Sequence, residues 1–259
     1  HDLETFPKRL KALEAKVEKM GKLKISGYVQ TQWTWNEEKV SSGKQNDFSI
    51  RRGRIKATYS NKYGEAVIPL DDTENGVGVK DAYLRIKEPS IKWASIRAGM
   101  FDRPFGYEIS YSSSTRETPE RSLLFQTLFP KERVLGAEIV LTGPENSFLE
   151  NFTLNAGIFT GNGGQAKETD SHKDFIGHLS YKKKINNISF GVGTSLYAGG
   201  VRLAGSEDQK AFKMNNKRFD QDTELEPEDY AKRCYYGFDG QFAIASLLGK
   251  TSLRAEYLW

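Results

Sequence analysis

The thirteen residues Phe48–Ser60, FSIRRGRIKATYS, restrict the fold more than any other stretch of this chain. From Ile50 onward the residue types alternate. Arg52, Arg54, Lys56 and Thr58 fall on one side of an extended chain, and Gly53, Ile55, Ala57 and Tyr59 on the other. A β-strand has a side-chain period of two, so the segment is read as a strand with three cations along one face and an apolar strip along the other. Such a strand suits a water-soluble sheet, and equally the wall of a membrane barrel with a wet interior and a lipid-facing exterior. Arg51 falls on the apolar face, or on the cationic face if a bulge turns it.

The same two-faced pattern recurs along the chain. In residues 22–35, Leu23, Ile25, Val29, Trp33 and Trp35 share one side, and Lys24, Ser26, Gln30, Gln32 and Thr34 the other. Further strands are predicted at Phe48–Ser60, Glu65–Leu70, Val79–Lys87, Ala94–Phe101, Val134–Thr142, Phe152–Thr160, Asp174–Lys182, Ile188–Ala198, Arg233–Ala245 and Thr251–Trp259, eleven in all. A high content of aromatics (15 Phe, 12 Tyr, 4 Trp) agrees with β structure. No run of 18 apolar residues exists, so no transmembrane helix is expected, and a mean hydropathy of −0.61 does not argue against a barrel whose strands are half polar. The exception to the pattern is Leu3–Met20, where Leu10, Leu13, Val17 and Met20 follow a coiled-coil spacing and Gly21 stands at the C-terminal cap position. Residues 1–21 are thus expected to form a short helix, either an oligomeric stalk or a helix packed on the body, and residues 22–259 a barrel.

Alternation alone also fits a sandwich; the connections separate the two. Those at 36–47, 104–133, 161–173 and 199–232 are long, whereas 61–64, 88–93, 143–151, 183–187 and 246–250 are short. Membrane barrels keep short turns on the periplasmic side and long loops outside. The expected fold is therefore all-β, a transmembrane antiparallel β-barrel with its short N-terminal helix in the periplasm.

Three stretches resemble the phosphate-selective porin O and P family of Gram-negative outer membranes. They are FSIRRGRIKATYS, the run from Val77 to Gly106 (VGVKDAYLRIKEPSIKWASIRAGMFDRPFG), and the run from Ser112 to Ile139 (SSSTRETPERSLLFQTLFPKERVLGAEI). The motif positions include Gly99, Phe101, Pro104, Phe105 and Gly106, then Glu120–Leu123, and Arg133, Leu135 and Gly136. The resemblance implies a sixteen-stranded trimeric porin whose third loop folds inward, and residues 104–133 stand where that loop would be. About eleven strands are read here, so on this resemblance the chain is expected to be truncated, with a twelve-strand barrel as the alternative.

The expected function is passive diffusion of small hydrophilic solutes across the outer membrane, with a preference for anions, phosphate among them; the alternative is a structural or interaction barrel within a larger envelope complex. The candidate pore-lining, anion-binding residues are Arg52, Arg54, Lys56, Arg85 and Arg97 on strands and Arg116, Arg121 and Arg133 in or beside the inward loop. Guanidinium groups offer forked donors to phosphate and carboxylate. Asp81, Glu138, Asp239 and Glu256 oppose them on the strands, as do Glu108, Glu117, Glu120 and Glu132 in the loop. The competing reading is that these arginines pair with the carboxylates and brace the wall, above all Arg133 beside Glu132. Expected partners are membrane lipid and lipopolysaccharide, small anions, further copies in a homotrimer and other envelope proteins; a net charge of +4 does not demand nucleic acid. Neither a cofactor nor a metal site is expected. His1, His172 and His178 lack ligand spacing, the carboxylates of Asp71–Gly76 read as a hairpin loop, and no nucleophile motif suggests an enzyme. The single Cys234 lies on an apolar face.

Overall fold

The computed structural model describes residues 21–35, 45–73, 76–130, 132–161, 163–164, 171–203, 212–216, 218–222, 224–226, 228–247 and 249–259; the helix expected at residues 3–20 lies outside them. The chain divides into two compact units, residues 1–89 and 90–259. Both are built from antiparallel strands.

The first unit contains β1 (Leu23–Trp35), β2 (Asn46–Asn61), β3 (Gly64–Thr73), β4 (Gly76–Val79) and β5 (Ala82–Lys87). β2 lies between β1 and β3, and β3 pairs with both β4 and β5. The register sets Leu23 opposite Tyr59, Ile25 opposite Ala57, Gly27 opposite Ile55 and Trp33 opposite Phe48. One face therefore gathers the apolar residues of both strands, and on this face Leu23, Ile25, Val29, Trp33, Trp35, Phe48, Ile55 and Tyr59 are all exposed. The residues between them, Tyr28, Gln30, Arg52, Arg54 and Lys56, are only half exposed. The expected strand Val79–Lys87 is two strands, broken at Lys80–Asp81. The break faces Pro69 of β3, whose carbonyl accepts from the Lys80 N–H (3.3 Å). A proline has no N–H to give the ladder, so its partner strand is interrupted there.

The second unit contains β6 (Ala94–Asp102), α1 (Leu123–Leu128), β7 (Arg133–Thr142), β8 (Phe152–Phe159), β9 (Asp174–Ile185), β10 (Ile188–Arg202), β11 (Phe212–Asn215), β12 (Arg218–Gln221), β13 (Tyr230–Ser246) and β14 (Gly249–Leu258). Its sheet runs β6-β7-β8-β9-β10-β13-β14, with β11 and β12 forming a separate hairpin inside the longest connection. The short turns β7–β8, β9–β10 and β13–β14 share one end of this sheet, and the long connections share the other. Asn186 makes the tight β9–β10 turn in the left-handed region, at φ 53°, a conformation asparagine tolerates better than most residues. Ile96, Ile139, Leu154, Ile158, Leu179, Phe190, Val192, Phe238, Leu253 and Tyr257 stand exposed on one face.

The connection 103–132 folds back over the opposite, polar face of this same sheet. The Gly106 N–H donates to Ser195 Oγ on β10 (2.8 Å). The N–H groups of Tyr107 and Glu108 donate to the two carboxylate oxygens of Glu256 on β14 (2.7 and 2.9 Å). Beneath the connection lies the main aromatic core: Phe105 and Phe129 (centroids 5.3 Å apart), with Phe129 against Tyr197 of β10 (6.1 Å) and Tyr235 of β13 (5.6 Å). Helix α1 is one and a half turns long, begins at the Ser122 cap and buries Phe125. Phe101, Phe159 and Ile176, from β6, β8 and β9, complete the core.

Candidate functional site

In the first unit the cations Arg52, Arg54 and Lys56 share the polar face of β2, opposite Gln30, Tyr28 and Ser26 of β1. A register shift between Gln30 and Thr31 leaves Arg51 without an opposite residue. This bulge turns Arg51 to the same face, where its Nη1 donates to Gln32 Oε1. Arg54 is engaged by a forked pair with Asp71 of β3, Nε to Oδ1 (3.1 Å) and Nη2 to Oδ2 (2.8 Å), and its guanidinium lies over the Tyr28 ring at 5.3 Å. Lys80 also approaches Asp71, at 3.7 Å. Arg85 sits 3.5 Å from Glu65. Lys56 lies opposite Pro69 and makes no ion pair among the described residues.

In the second unit Arg97 is buried against Glu138, its register partner on β7. Both Nε and Nη2 are 2.8 Å from Glu138 Oε1, and Asn155 of β8 donates to the same oxygen (3.2 Å). The three cations in or beside the connection are engaged within it. Arg116 donates to the carbonyls of Thr118 (3.2 Å) and Pro119 (3.0 Å). Arg121 contacts Glu132 at 3.0 Å and donates to the Ile109 carbonyl (2.8 Å), and burial lowers its pKa from the usual arginine value. Arg133 donates to Glu132 (2.7 Å). Thus Arg54, Arg85, Arg97, Arg121 and Arg133 each lie beside a carboxylate.

A second group of cations sets Arg254 beside lysines that the sequence reading did not single out as pore-lining. Lys182, Gln241 and Arg254 occupy one row across β9, β10, β13 and β14, with Gly191 as the β10 member. Lys184 stands in the next row, and Lys250 near the β13–β14 turn. With Ser189, Ser252 and Tyr107 they line a cavity of about 300 Å³ at the short-turn end of the unit. Lys182, Lys184 and Lys250 make no ion pair among the described residues. Arg254 is held by Glu117 of the connection, its Nη1 and Nη2 donating at 3.0 and 2.9 Å. A signal was present in the run Lys182–Lys183–Lys184, but a charge run at a strand end usually reads as a solvated tip. Only the cross-strand register brings Lys250 and Arg254 beside it. A further cavity of about 380 Å³ lies between the connection and β14, lined by Tyr107, Tyr111, Glu117, Ser122, Arg254 and Glu256.

Glycines on the polar face of β10 let side chains of β9 and β13 meet over the strand between them. His178 Nε2 and Asp239 Oδ2 lie 3.0 Å apart across Gly193. Asp174 and Arg233 approach across Gly199, at 3.6 Å. A Cβ at Gly199 would collide with the carboxylate of Asp174, which is itself buried, whereas one at Gly240 would meet nothing within 4 Å. Gly199→Ala is therefore expected to destabilise by about 1–3 kcal/mol, as overpacking does. Gly240→Ala should stay within about 0.5 kcal/mol. Unfolding midpoints of the two variants check the pair.

The Arg254–Glu117 bridge ties the connection to β14 with a defined pH dependence. Its hydrogen bonds hold the Glu117 carboxyl below the usual glutamate range. A carboxyl with a lowered folded pKa contributes stability that is present above its ordinary value and is lost as pH falls through the lower one. Protease sensitivity of residues 107–122 should therefore be unchanged between neutral pH and mild acid and rise only in stronger acid; in Glu117→Gln it should be raised already at neutral pH.

Comparison with family models and with curated proteins finds no match for this chain.

Proposed function

We propose that the chain forms the wall of an outer-membrane β-barrel through which small hydrophilic solutes diffuse, with a preference for anions, phosphate among them. The observation that carries this reading is the polarity of the strands. In each unit the apolar side chains stand exposed, while the polar face is the one that is half buried or covered. Burying a side chain such as Leu, Ile or Phe is worth about 1.5–3 kcal/mol. Ten such residues left half exposed in water, as on the second unit's sheet, forgo on the order of 10 kcal/mol, which is comparable with the whole stability of a domain. Contact with hydrocarbon removes that cost. Closure of the sheet into a barrel, the homotrimer, lipopolysaccharide contacts and a helix on the periplasmic side belong to the same reading and rest on the resemblance and the loop pattern.

Anion preference is carried by the lysines around the 300 Å³ cavity together with Arg52 and Lys56. A lumen lined by cations lowers the electrostatic barrier for anions and raises it for cations, and successive weak sites keep solutes moving. Planar-bilayer recording under a salt gradient tests this. The wild type should show an anion-biased reversal potential, and the double variant Lys182→Glu/Lys250→Glu a permeability ratio several-fold lower. An unchanged ratio would remove the lysines from the pathway. The second reading, a structural barrel that holds partner proteins, draws on the paired arginines and on the connection covering the second unit's polar face; it predicts a folded, inserted protein with no conductance.

A further inference from the structure

Arg103 follows β6 directly and is 3% exposed. Its backbone is fixed at the root of the connection: its N–H donates to the Glu132 carbonyl (3.2 Å) and its carbonyl accepts from the Phe105 N–H (2.9 Å). The guanidinium lies over the Phe129 ring at 5.2 Å, and its Nε and Nη1 find no hydrogen-bond acceptor among the described residues. Its charged neighbours are Arg233 and Asp174, and burial depresses its pKa, though not to where an arginine loses its proton.

The local charges do not balance. Arg233 Nη2 donates to Tyr197 Oη (3.0 Å) and to the carbonyls of Gly161 (3.1 Å) and Gly200 (3.2 Å), and its Nε also lacks an acceptor among the described residues. Asp174 accepts from the Tyr197 hydroxyl and from the Gly200 N–H (3.0 Å) and stands 3.6 Å from Arg233. Two guanidinium groups thus share one carboxylate whose oxygens are already occupied. A buried cation without acceptors is costly, and so is an unmade hydrogen bond on it.

We infer that Arg103 and Arg233 together hold a small monovalent inorganic anion of the halide class as a fixed structural ion. One negative charge balances the cluster, and a spherical acceptor uses guanidinium N–H groups that point in different directions. The ion is not cargo: a tight site would stop flow. It clamps the root of the connection to β9, β10 and β13, so this inference goes beyond the pore reading and its test does not depend on conduction.

The folded full chain is unfolded thermally at constant ionic strength while chloride or bromide replaces gluconate, an anion too bulky for a buried site. A ligand that binds only the folded state raises the midpoint with its concentration. The wild-type midpoint should rise by several degrees with halide. Arg103→Met should lose the dependence and Lys92→Met, at an exposed turn position, should keep it. Crystals grown in bromide should show an anomalous peak between Arg103 and Arg233, a result that stands even if Arg103→Met does not fold. A wild-type midpoint indifferent to halide, or bromide crystals without that peak, would overturn the inference.

Discussion

Replacing Glu138 with leucine is expected to destabilise the folded protein by about 3–5 kcal/mol, the usual consequence of removing one member of a buried ion pair. Glu138 is 1% exposed and Arg97 8% exposed. The carboxylate takes two Arg97 nitrogens at 2.8 Å and one Asn155 donor at 3.2 Å. After substitution the guanidinium, which lies 3.9 Å above the Phe101 ring, loses its closest counter-charge and stands 3.4 Å from Asp102. Most of the loss comes from leaving a buried charge poorly compensated rather than from the pair's own net contribution. The double variant Arg97→Met/Glu138→Leu should therefore recover most of the stability. Urea-titrated refolding of the two single variants and the double one measures the coupling. If the double variant is as unstable as the sum of the singles, the charges are not acting as a pair.

The neighbouring residue gives the opposite sensitivity. Ile139 is 52% exposed, on the apolar face, with Ile96 and Ala156 beside it in register. In water an arginine at so exposed a position is worth less than about 0.5 kcal/mol either way. Facing hydrocarbon near the bilayer midplane, Ile139→Arg should cost about 2–4 kcal/mol. Refolding into lipid bilayers, compared with refolding into detergent, reads the difference. Two adjacent residues thus test both sides of one strand: at 138 the damage is the loss of a charge, at 139 the gain of one.

The strand faces were legible in the sequence because the period of two is a local property. The apolar sets Leu23/Ile25/Val29/Trp33/Trp35, Ile188/Phe190/Val192/Leu196 and Leu253/Ala255/Tyr257 each fall on one face of a single strand in the structure, with Trp259 just beyond the last. The placement of the long and short connections was legible for the same reason. What was not legible depends on register between strands far apart in sequence. Arg54 reaches Asp71, and Arg97 reaches Glu138 across 41 residues; no local pattern names those partners. The bulge that turns Arg51 inward is a ladder irregularity, visible only once β1 is paired. The break before β5 follows from Pro69 on a different strand. Arg103 escaped notice because the motif around it was read for its glycines and aromatics, while its burial is created by Phe129, Tyr197 and Arg233 from other elements. The β11–β12 hairpin lies in a connection whose charged composition gave no alternating signal.

The two-faced wall is tested most directly by single cysteines placed in turn along residues 52–59, in a background where Cys234 is replaced by serine, with the protein inserted into liposomes. Labelling by a charged, membrane-impermeant thiol reagent and quenching of an attached fluorophore by brominated lipid are read at each position. Positions 52, 54, 56 and 58 should react with the reagent and escape the lipid quencher, and positions 53, 55, 57 and 59 should do the reverse. Equal reagent access at all eight positions, with no lipid quenching at any, would contradict a membrane barrel and return the chain to a water-soluble sheet.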